Sequence, residues 1–274
     1  MDEKISVIMA CYNCEKTVDK AINSILDQTY ENWVMIICDD GSTDNTLSII
    51  RGYEKKYPDK FIVIQNEKNS QLPFSLNHCL EYVKTDLVAR MDADDWCLPE
   101  RFEKQVTFLK SHPDIDLVGT GISASDGEKE IGAFSAPEYP KKEDMLRTNC
   151  FLHATIMTYK RVYDALGGYS LDPTVLRVED VDLWCRFFAA GFKGYNLQEK
   201  LYVILEDDSA AKRRSLRARI NSVKTRRRGY KLMGLKGIKC YRCYSIILKG
   251  LIPMWLYKRM HAWKLKKRRK SSEN

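Results

Sequence analysis

The chain has 274 residues, 44% of them hydrophobic, which is enough to bury a sizeable core as one large domain or as a domain with an appendage. Its nine cysteines are odd in number and lack framework spacing, which excludes a small disulfide-stabilised secreted protein. The formal net charge of +8 is unevenly distributed, because residues 209–272 contain 22 Lys and Arg and no Asp or Glu, while the body before them is acidic.

Apolar runs alternate with amphipathic helical patterns over the first 120 residues. Such alternation is typical of an α/β fold with a parallel, doubly wound sheet. The predicted elements are, in order, a strand at 5–11, a helix at 15–28, a strand at 33–38, a helix at 43–57, a strand at 61–65, a helix at 74–83, a strand at 87–91, a helix at 99–110 and a strand at 115–120.

The pattern changes after residue 120. A hairpin is predicted at 122–134, around the turn pair Asp126-Gly127. It is followed by a strand at 154–159, a short helix, the turn 167–169, a helix at 180–190 and a strand at 197–205. There is no internal repeat. Since the charge changes sign around residues 206–215, we expect a main domain at 1–208 and a basic helical tail at 209–274.

The tail interleaves basic residues with Trp, Tyr, Ile and Leu. Its apolar runs, at 244–248 and 251–257, are shorter than the roughly 20 residues that a membrane-spanning helix needs. The pattern favours an amphipathic helical segment that lies on an anionic membrane surface through residues 209–272. An arm that binds nucleic acid is the less favoured alternative.

The cysteines and the N-terminus predict the compartment. Residues 1–4 lead directly into a strand-like run and carry no secretory signal, so we expect a reduced, cytoplasmic setting with mostly buried thiols. Two CxxC pairs, Cys11 with Cys14 and Cys240 with Cys243, would suit a zinc or redox site. This alternative is weak because the pairs lie far apart in sequence and the first follows a strand.

Carboxylates gather where two predicted strands end. Asp39 and Asp40 follow the strand at 33–38, and Asp92, Asp94 and Asp95 follow the strand at 87–91. Ligands of α/β sheets bind outside the carboxyl ends of the strands. Two acidic clusters at that edge would repel each other and any phosphate unless a cation or hydrogen-bond donors lay between them. The expected cation is Mn²⁺ or Mg²⁺, because oxygen ligands suit hard divalent ions.

Asp92-Ala93-Asp94 is a DxD triplet. In an extended segment residues i and i+2 point the same way, so both carboxylates can face one ion. A cluster at a helix N-terminus is the alternative, and both hold if Asp95 serves the following helix while the other two face a ligand.

A third acidic pair, Glu179-Asp180, begins the predicted helix at 180–190, where its charge complements the helix dipole. One of these carboxylates would be a general base if it reached an acceptor hydroxyl, and a plain helix cap is the alternative.

Together these motifs resemble those of family 2 glycosyltransferases, which are inverting, nucleotide-sugar-dependent enzymes of the GT-A fold. The resemblance implies a Rossmann-like α/β, mostly parallel sheet flanked by helices, here with a basic helical C-terminal extension. The loop at 66–77 departs from the family pattern because it lacks a glycine, and Ala10-Cys11 stands where Pro or a small residue is usual. The matching segments, in family order, are 6–13 with Glu15, 24–30, 39–44, 91–95, 99–101, 167–169 and 179–186.

The resemblance implies a nucleotide-sugar-binding half at 1–120. Asp94 would bind the metal that bridges the diphosphate, and Asp92 would contact the ribose or the water shell of the metal. The residues that would line the donor pocket are Ala10, Tyr12, Asn13, Glu15, Asp40, Asp92 and Ala93.

The resemblance also implies an acceptor-binding half at 121–208. Asp180 would deprotonate the acceptor hydroxyl, while Glu179 and Trp184 would shape the acceptor site. His153 stands where many members carry a histidine, either as a residue of this site, as a ligand of the diphosphate or metal, or as a structural histidine.

The implied activity is transfer of a hexose from a nucleotide sugar, in particular a UDP-sugar, to a hydroxyl of a sugar or of a lipid-linked saccharide. The setting would be synthesis of a cell-envelope polysaccharide at the inner face of the plasma membrane. A sugar-nucleotide nucleotidyltransferase is one alternative, but residues 11–17 lack the glycines of its phosphate loop. A non-catalytic membrane or nucleic-acid adaptor is another, although binding alone gives no reason to keep so many carboxylates at one edge.

Overall fold

The computed structural model of this protein describes residues 3–206 and 216–248. In these residues the strands are β1 (Ile5–Cys11), β2 (Trp33–Asp39), β3 (Phe61–Gln65), β4 (Leu87–Asp92), β5 (Trp96–Cys97), β6 (Leu117–Ser125), β7 (Glu130–Phe134), β8 (Met157–Tyr159) and β9 (Gly194–Leu205). They form one sheet in the order β3-β2-β1-β4-β8-β6-β9-β5, and β7 pairs with β6.

Eight α-helices flank this sheet in the described ranges. They are α1 (Val18–Leu26), α2 (Thr46–Lys56), α3 (Leu72–Glu81), α4 (Arg101–Ser111), α5 (Lys160–Leu166), α6 (Glu179–Ala189), α7 (Leu216–Leu232) and α8 (Ser245–Leu248). Short 3-10 helices lie at Lys142–Leu146, His153–Thr155, Pro173–Val175 and Ile238–Tyr244.

The first strands place apolar side chains on both faces of the sheet. On β1, Val7 and Met9 belong to the core on one face, whereas Ile8 belongs to the core on the other. On β2, Met35 and Ile36 divide in the same way. Because successive side chains of a strand point to opposite faces, a strand covered on both sides is apolar throughout. Its first polar residues therefore mark the open edge of the sheet.

The parallel half of the sheet is as predicted. Strand β1 pairs in parallel with β2 and β4, and β2 pairs in parallel with β3. Beyond β4 the sheet is mixed, since β8 runs antiparallel to β4 and β6 while β6 and β9 are parallel. The predicted hairpin at 122–134 is formed by β6 and β7. The α/β class is thus confirmed, with the parallel pairing concentrated in the first four strands.

The basic region begins as part of the folded body. Helix α7 packs against α6, and its Val223 and Tyr230 share a buried core with Trp184. Gly229 permits the close approach, because a Cβ there would lie 2.6 Å from the Cβ of Cys185. The parts of the predicted tail at 209–215 and 249–272, including the apolar run at 251–257, lie outside the described residues. Within the described ranges, no helix combines the length and apolarity needed to cross a bilayer.

Candidate active site

The loop after β1 is bonded to the loop after β2. Asn13 adopts a φ of 50°, its backbone N–H donates to Ser42 Oγ at 3.0 Å, and its Oδ1 accepts from the Thr43 N–H at 2.8 Å. Glu15 Oε2 accepts from the backbone and side-chain nitrogens of Asn45 at 3.0 and 2.9 Å. Asn13 and Glu15 therefore act as ties that shape this edge of the predicted donor pocket.

Asp40 organises the neighbouring loop. Its carboxylate is 4% exposed and accepts hydrogen bonds from Asn66 Nδ2 at 2.7 Å, from the Ser70 N–H at 2.8 Å and from the Gln71 N–H at 2.9 Å. Gln71 itself takes a left-handed φ of 76°. The loop thus makes its turn without the glycine that the family resemblance led us to expect.

Two adjoining cavities, of about 500 and 390 Å³, open at the carboxyl ends of β1, β2 and β4. They share Ala10 and Tyr12, and the Tyr12 side chain is 47% exposed between them. We call them the Asp94 cavity and the Glu179 cavity. The former is lined by Ala10, Tyr12, Asn13, Glu15, Asp92, Ala93 and Asp94, among others, and the latter by Ala10, Tyr12, Asp40, Gln71, Arg177 and Glu179, among others.

Three carboxylates meet at the end of β4. One oxygen each of Asp92, Asp94 and Asp95 lies within 4.8 Å of the others. Asp95 is 6% exposed and accepts from the Leu205 N–H at 2.9 Å, so it secures β9 and does not cap α4. Its burial and the negative charges of Asp92 and Asp94 raise the pKa of Asp95 to about 8. An all-oxygen donor set under such mutual repulsion fits a hard divalent cation such as Mn²⁺ or Mg²⁺.

Arg90 is a residue of this site that the sequence analysis did not single out. It is 2% exposed, and its Nη2 and Nη1 atoms donate to the two carboxylate oxygens of Asp92 at 2.6 and 3.1 Å. Asp92 is therefore held by a buried cation beneath it. A signal was present, because Arg90 is the one charged residue inside the apolar run 87–91 of a strand covered on both faces.

Glu179 and Asp180 are the first residues of α6. Asp180 Oδ1 accepts from the Val181 N–H at 2.7 Å, and its Oδ2 accepts from Asn149 Nδ2 at 3.1 Å. Burial raises the pKa of both carboxyls, although the charge of Arg90 acts in the opposite direction on each. Among the residues that the structure describes, the Oε2 atom of Glu179 has no hydrogen-bond partner.

His153 and Trp184 lie behind this pair. His153 Nε2 is 2.8 Å from Tyr169 Oη, and the His153 ring meets the Trp184 ring edge-on at 5.9 Å. Burial, and then the charge of Arg90, hold the pKa of His153 well below its ordinary value, so the imidazole is neutral. Trp184 is 1% exposed and packs against Phe151, so it supports the site from beneath.

The two groups of carboxylates lie on one side of the molecule. Arg90 bonds to Asp92, and its charge acts on Glu179 and Asp180 as well. Asp92 and Asp94 line the Asp94 cavity and Glu179 lines the Glu179 cavity, and the two cavities share Ala10 and Tyr12, whereas Asp180 lines neither. The acidic motifs predicted for the sugar-donor half and for the sugar-acceptor half are thus brought together around the buried guanidinium of Arg90.

Residues 6–164 match the family model described as glycosyl transferase family 2. The chain belongs to this glycosyltransferase family. It is therefore an enzyme, as predicted, and the nucleotidyltransferase and adaptor alternatives are not supported.

Relatives and solved structures agree with this membership. EpsE of Bacillus subtilis strain 168, whose name describes it as a glycosyltransferase, is 48% identical over 212 residues, or 77% of this chain and 76% of EpsE. The Escherichia coli UDP-Glc:alpha-D-GlcNAc-diphosphoundecaprenol beta-1,3-glucosyltransferase WfaP is 29% identical over 197 residues, covering 71% of this chain and 74% of WfaP.

Among solved structures, TarS 1–349 of S. aureus in complex with UDP-GlcNAc superposes with a TM-score of 0.67. It covers 90% of this glycosyltransferase and 71% of the TarS chain at 18% identity. This likeness supports the predicted fold of a mixed α/β sheet flanked by helices, similar to GT-A glycosyltransferases.

Proposed function

We propose that this family 2 glycosyltransferase moves a hexose from a nucleotide sugar, a UDP-sugar, to a hydroxyl of a sugar or lipid-linked saccharide by one inverting displacement. The observation that carries the proposal is the pair of cavities that share Ala10 and Tyr12, with Asp92 and Asp94 bordering one and Glu179 the other. The name of the relative WfaP, which states a UDP-glucose donor and a diphosphoundecaprenol-linked acceptor, agrees with both substrate classes.

The proposed donor half is formed by residues 1–120. The exposed ring of Tyr12 offers a face on which a nucleobase can stack, beside Asp40 and the loop that Asp40 holds. Asp94, with Asp92, would hold Mn²⁺ or Mg²⁺ next to the diphosphate. When bound, such an ion stabilises the negative charge that develops on the leaving nucleoside diphosphate.

The proposed acceptor half is formed by residues 121–208, with Asp180 as general base. As the acceptor oxygen bonds to the anomeric carbon and the bond to the diphosphate breaks, the hydroxyl proton passes to the Asp180 carboxylate. Its raised pKa makes this carboxylate a better proton acceptor than an exposed aspartate. Glu179 and the neutral His153, supported by Trp184, would bind the acceptor sugar.

We infer a peripheral position at the cytoplasmic, inner face of the plasma membrane. The supporting observation is the basic segment 209–272, within which Ile238 is 86% exposed and Tyr241 is 58% exposed beside Lys239 and Arg242. Exposed apolar side chains among cations suit an anionic lipid surface better than nucleic acid.

The test compares Asp180→Asn with Asp94→Ala in the full chain. UDP release from UDP-glucose, UDP-galactose and UDP-GlcNAc measures turnover, and the rise in melting temperature with UDP and Mn²⁺ measures donor-site binding. We expect Asp180→Asn to abolish turnover and retain the thermal shift, and Asp94→Ala to lose the Mn²⁺-dependent part of that shift. Asp59→Ala, which removes an exposed carboxylate that lines neither cavity, is the control. Normal turnover by Asp180→Asn would remove that residue from the role of base.

A further inference from the structure

Arg226, in the basic segment, is linked through Asn149 to the carboxylate of Asp180 at the start of α6. Arg226, on α7, donates from Nη2 to Asn149 Oδ1 at 3.1 Å, and Asn149 Nδ2 donates to Asp180 Oδ2 at 3.1 Å. Guanidinium groups only donate and ionised carboxylates only accept, so this chain of bonds fixes which way the Asn149 amide points. Asn149 is thereby a bridge between the two charged groups.

The charge of Arg226 is not neutralised by an ion pair within the described ranges. Arg226 donates to Asn149 Oδ1 and to the Met145 carbonyl at 3.4 Å, both of which are neutral. Arg90, by contrast, is paired at both ends of its fork with Asp92. A half-buried cation without a counter-charge stabilises a nearby anion over several ångströms.

Helix α7 is held firmly enough to position a side chain. Arg228 donates to Asp182 at 2.8 Å and to Asp172 at 2.7 Å, which ties α7 to α6 and to the turn before it. Tyr230 Oη donates to the same Met145 carbonyl at 3.0 Å. A side chain that is supported by groups on packed helices is held in a narrower range of positions than one supported by groups on loops.

We propose that Asn149 and Arg226 are positioning residues for Asp180: Asn149 fixes the rotamer of the carboxylate, and Arg226 fixes the Asn149 amide and favours the ionised base. The inference rests on the proposed function, in which Asp180 accepts the proton of the acceptor hydroxyl. It gives the first helix of the basic segment a part in the reaction that is separate from any contact with a membrane.

The charged surroundings of Asp180 set the sign of the expected pH effect. Arg226 from α7 and Arg90 from β4 favour its ionised form, whereas the neighbouring Glu179 and the buried Cys185 thiol bring no positive charge. Removing Arg226 therefore raises the pKa of Asp180. The base is then protonated over a wider range at low pH, and turnover recovers as the pH rises.

The first experiment compares Arg226→Met, Arg226→Lys and Lys224→Met in the full chain by UDP release from the three UDP-sugars over a range of pH. Lys224 is an exposed cation on the same helix and is the matched control. For Arg226→Met we expect kcat to fall about tenfold near pH 6, with partial recovery at higher pH, while KM for the donor stays within about twofold. Arg226→Lys should shift the profile less because it keeps the charge. A purely structural role would lower activity equally at every pH.

The second experiment does not depend on turnover. A double-mutant cycle of Arg226→Met and Asp180→Asn, read by urea unfolding, measures whether the two groups are coupled, and Asn149→Leu should remove most of that coupling. If Asp180→Asn stays active, the proposed role of Asp180 as general base fails, while the cycle can still report coupling. If Asp180→Asn is inactive but Arg226→Met keeps the wild-type pH profile, or if the cycle shows additivity, the positioning role is overturned.

Discussion

At the scale of single residues, Arg90 governs the electrostatics of the site. It is buried beneath the cavities and forms a two-pronged ion pair with Asp92. Burial raises the pKa of Glu179 and of Asp180, and the charge of Arg90 lowers both. A buried cation is stable only when it is well paired, and a fork-shaped guanidinium matches a carboxylate better than an ammonium group does. Burial, with the same charge as a second cause, lowers the pKa of His153 and keeps its imidazole neutral.

The neutrality of His153 has a consequence for stability. The native protein holds this imidazole unprotonated, whereas the unfolded chain binds a proton below about pH 6.5. The neutral imidazole of His153 therefore contributes to the free energy of unfolding above that pH, and this contribution is lost as the pH falls. We expect wild-type protein to lose about 1 kcal/mol more unfolding free energy than His153→Gln between about pH 7.5 and 5.5.

Urea unfolding at the two pH values measures this difference. His112→Gln, which replaces an exposed histidine, is the matched control and should behave as the wild type does. An equal loss of stability in the wild type and in His153→Gln would mean that the folded protein does not exclude the proton from His153.

At the scale of elements, the contact between α6 and α7 joins the reactive carboxylates to the basic segment. Gly229 lies against Cys185, and Arg228 bonds to Asp182 across the same interface. Helix α7 can place Arg226 beside Asn149 only if it packs closely against α6.

Gly229→Ala should separate the two helices. The added Cβ would lie 2.6 Å from the Cβ of Cys185, and overpacking of this kind costs about 1–3 kcal/mol of unfolding free energy. Gly52→Ala, in α2, is the matched control because nothing lies within 4 Å of its added Cβ, so it should stabilise by about 0.4–1 kcal/mol. Chemical denaturation measures both, and an unchanged midpoint for Gly229→Ala would show that the interface yields without cost.

At the scale of the whole molecule, the basic residues are concentrated in the last part of the chain, but the buried core includes residues from both parts. Residues 216–248 carry part of the basic segment, yet Tyr230, Met233 and Cys243 are buried with residues of the main domain. A chain ended at residue 208 would expose that core. The contribution of the segment to membrane binding is therefore better measured with surface substitutions than by truncation.

Ile238→Glu should weaken sedimentation with phosphatidylglycerol vesicles. Ile238 is 86% exposed among cations, and losing the insertion of one such side chain costs about 1.5–3 kcal/mol, or roughly tenfold or more in affinity. Leu171→Glu, at a 56% exposed position in the main domain, is the matched control. Added salt should weaken binding of the wild type. Equal partitioning of both variants would remove this surface from the membrane contact.

Local patterns predicted the first half of the fold well. The continuous apolar runs of β2 and β4 predicted these strands, and the acidic clusters that follow the runs, which include Asp40 and Asp92, marked the edge where the cavities lie. Boundaries were less accurate. The helix predicted from residue 15 begins at Val18, because residues before it bond to the loop after β2, and the strand predicted from 154 begins at Met157 after a 3-10 turn.

The order of apolar and polar residues along this chain was sufficient for the α/β class and the acidic edge, since both depend on neighbours within a few positions. The family was indicated by the resemblance of short motifs to those of known members. The bridge from Arg226 through Asn149 to Asp180 could not be found in either way, because its members are 77 and 31 positions apart. Nothing in the sequence around Asn149 or Arg226 differs from that of ordinary surface residues. Only the packing of α7 against α6 brings them within bonding distance.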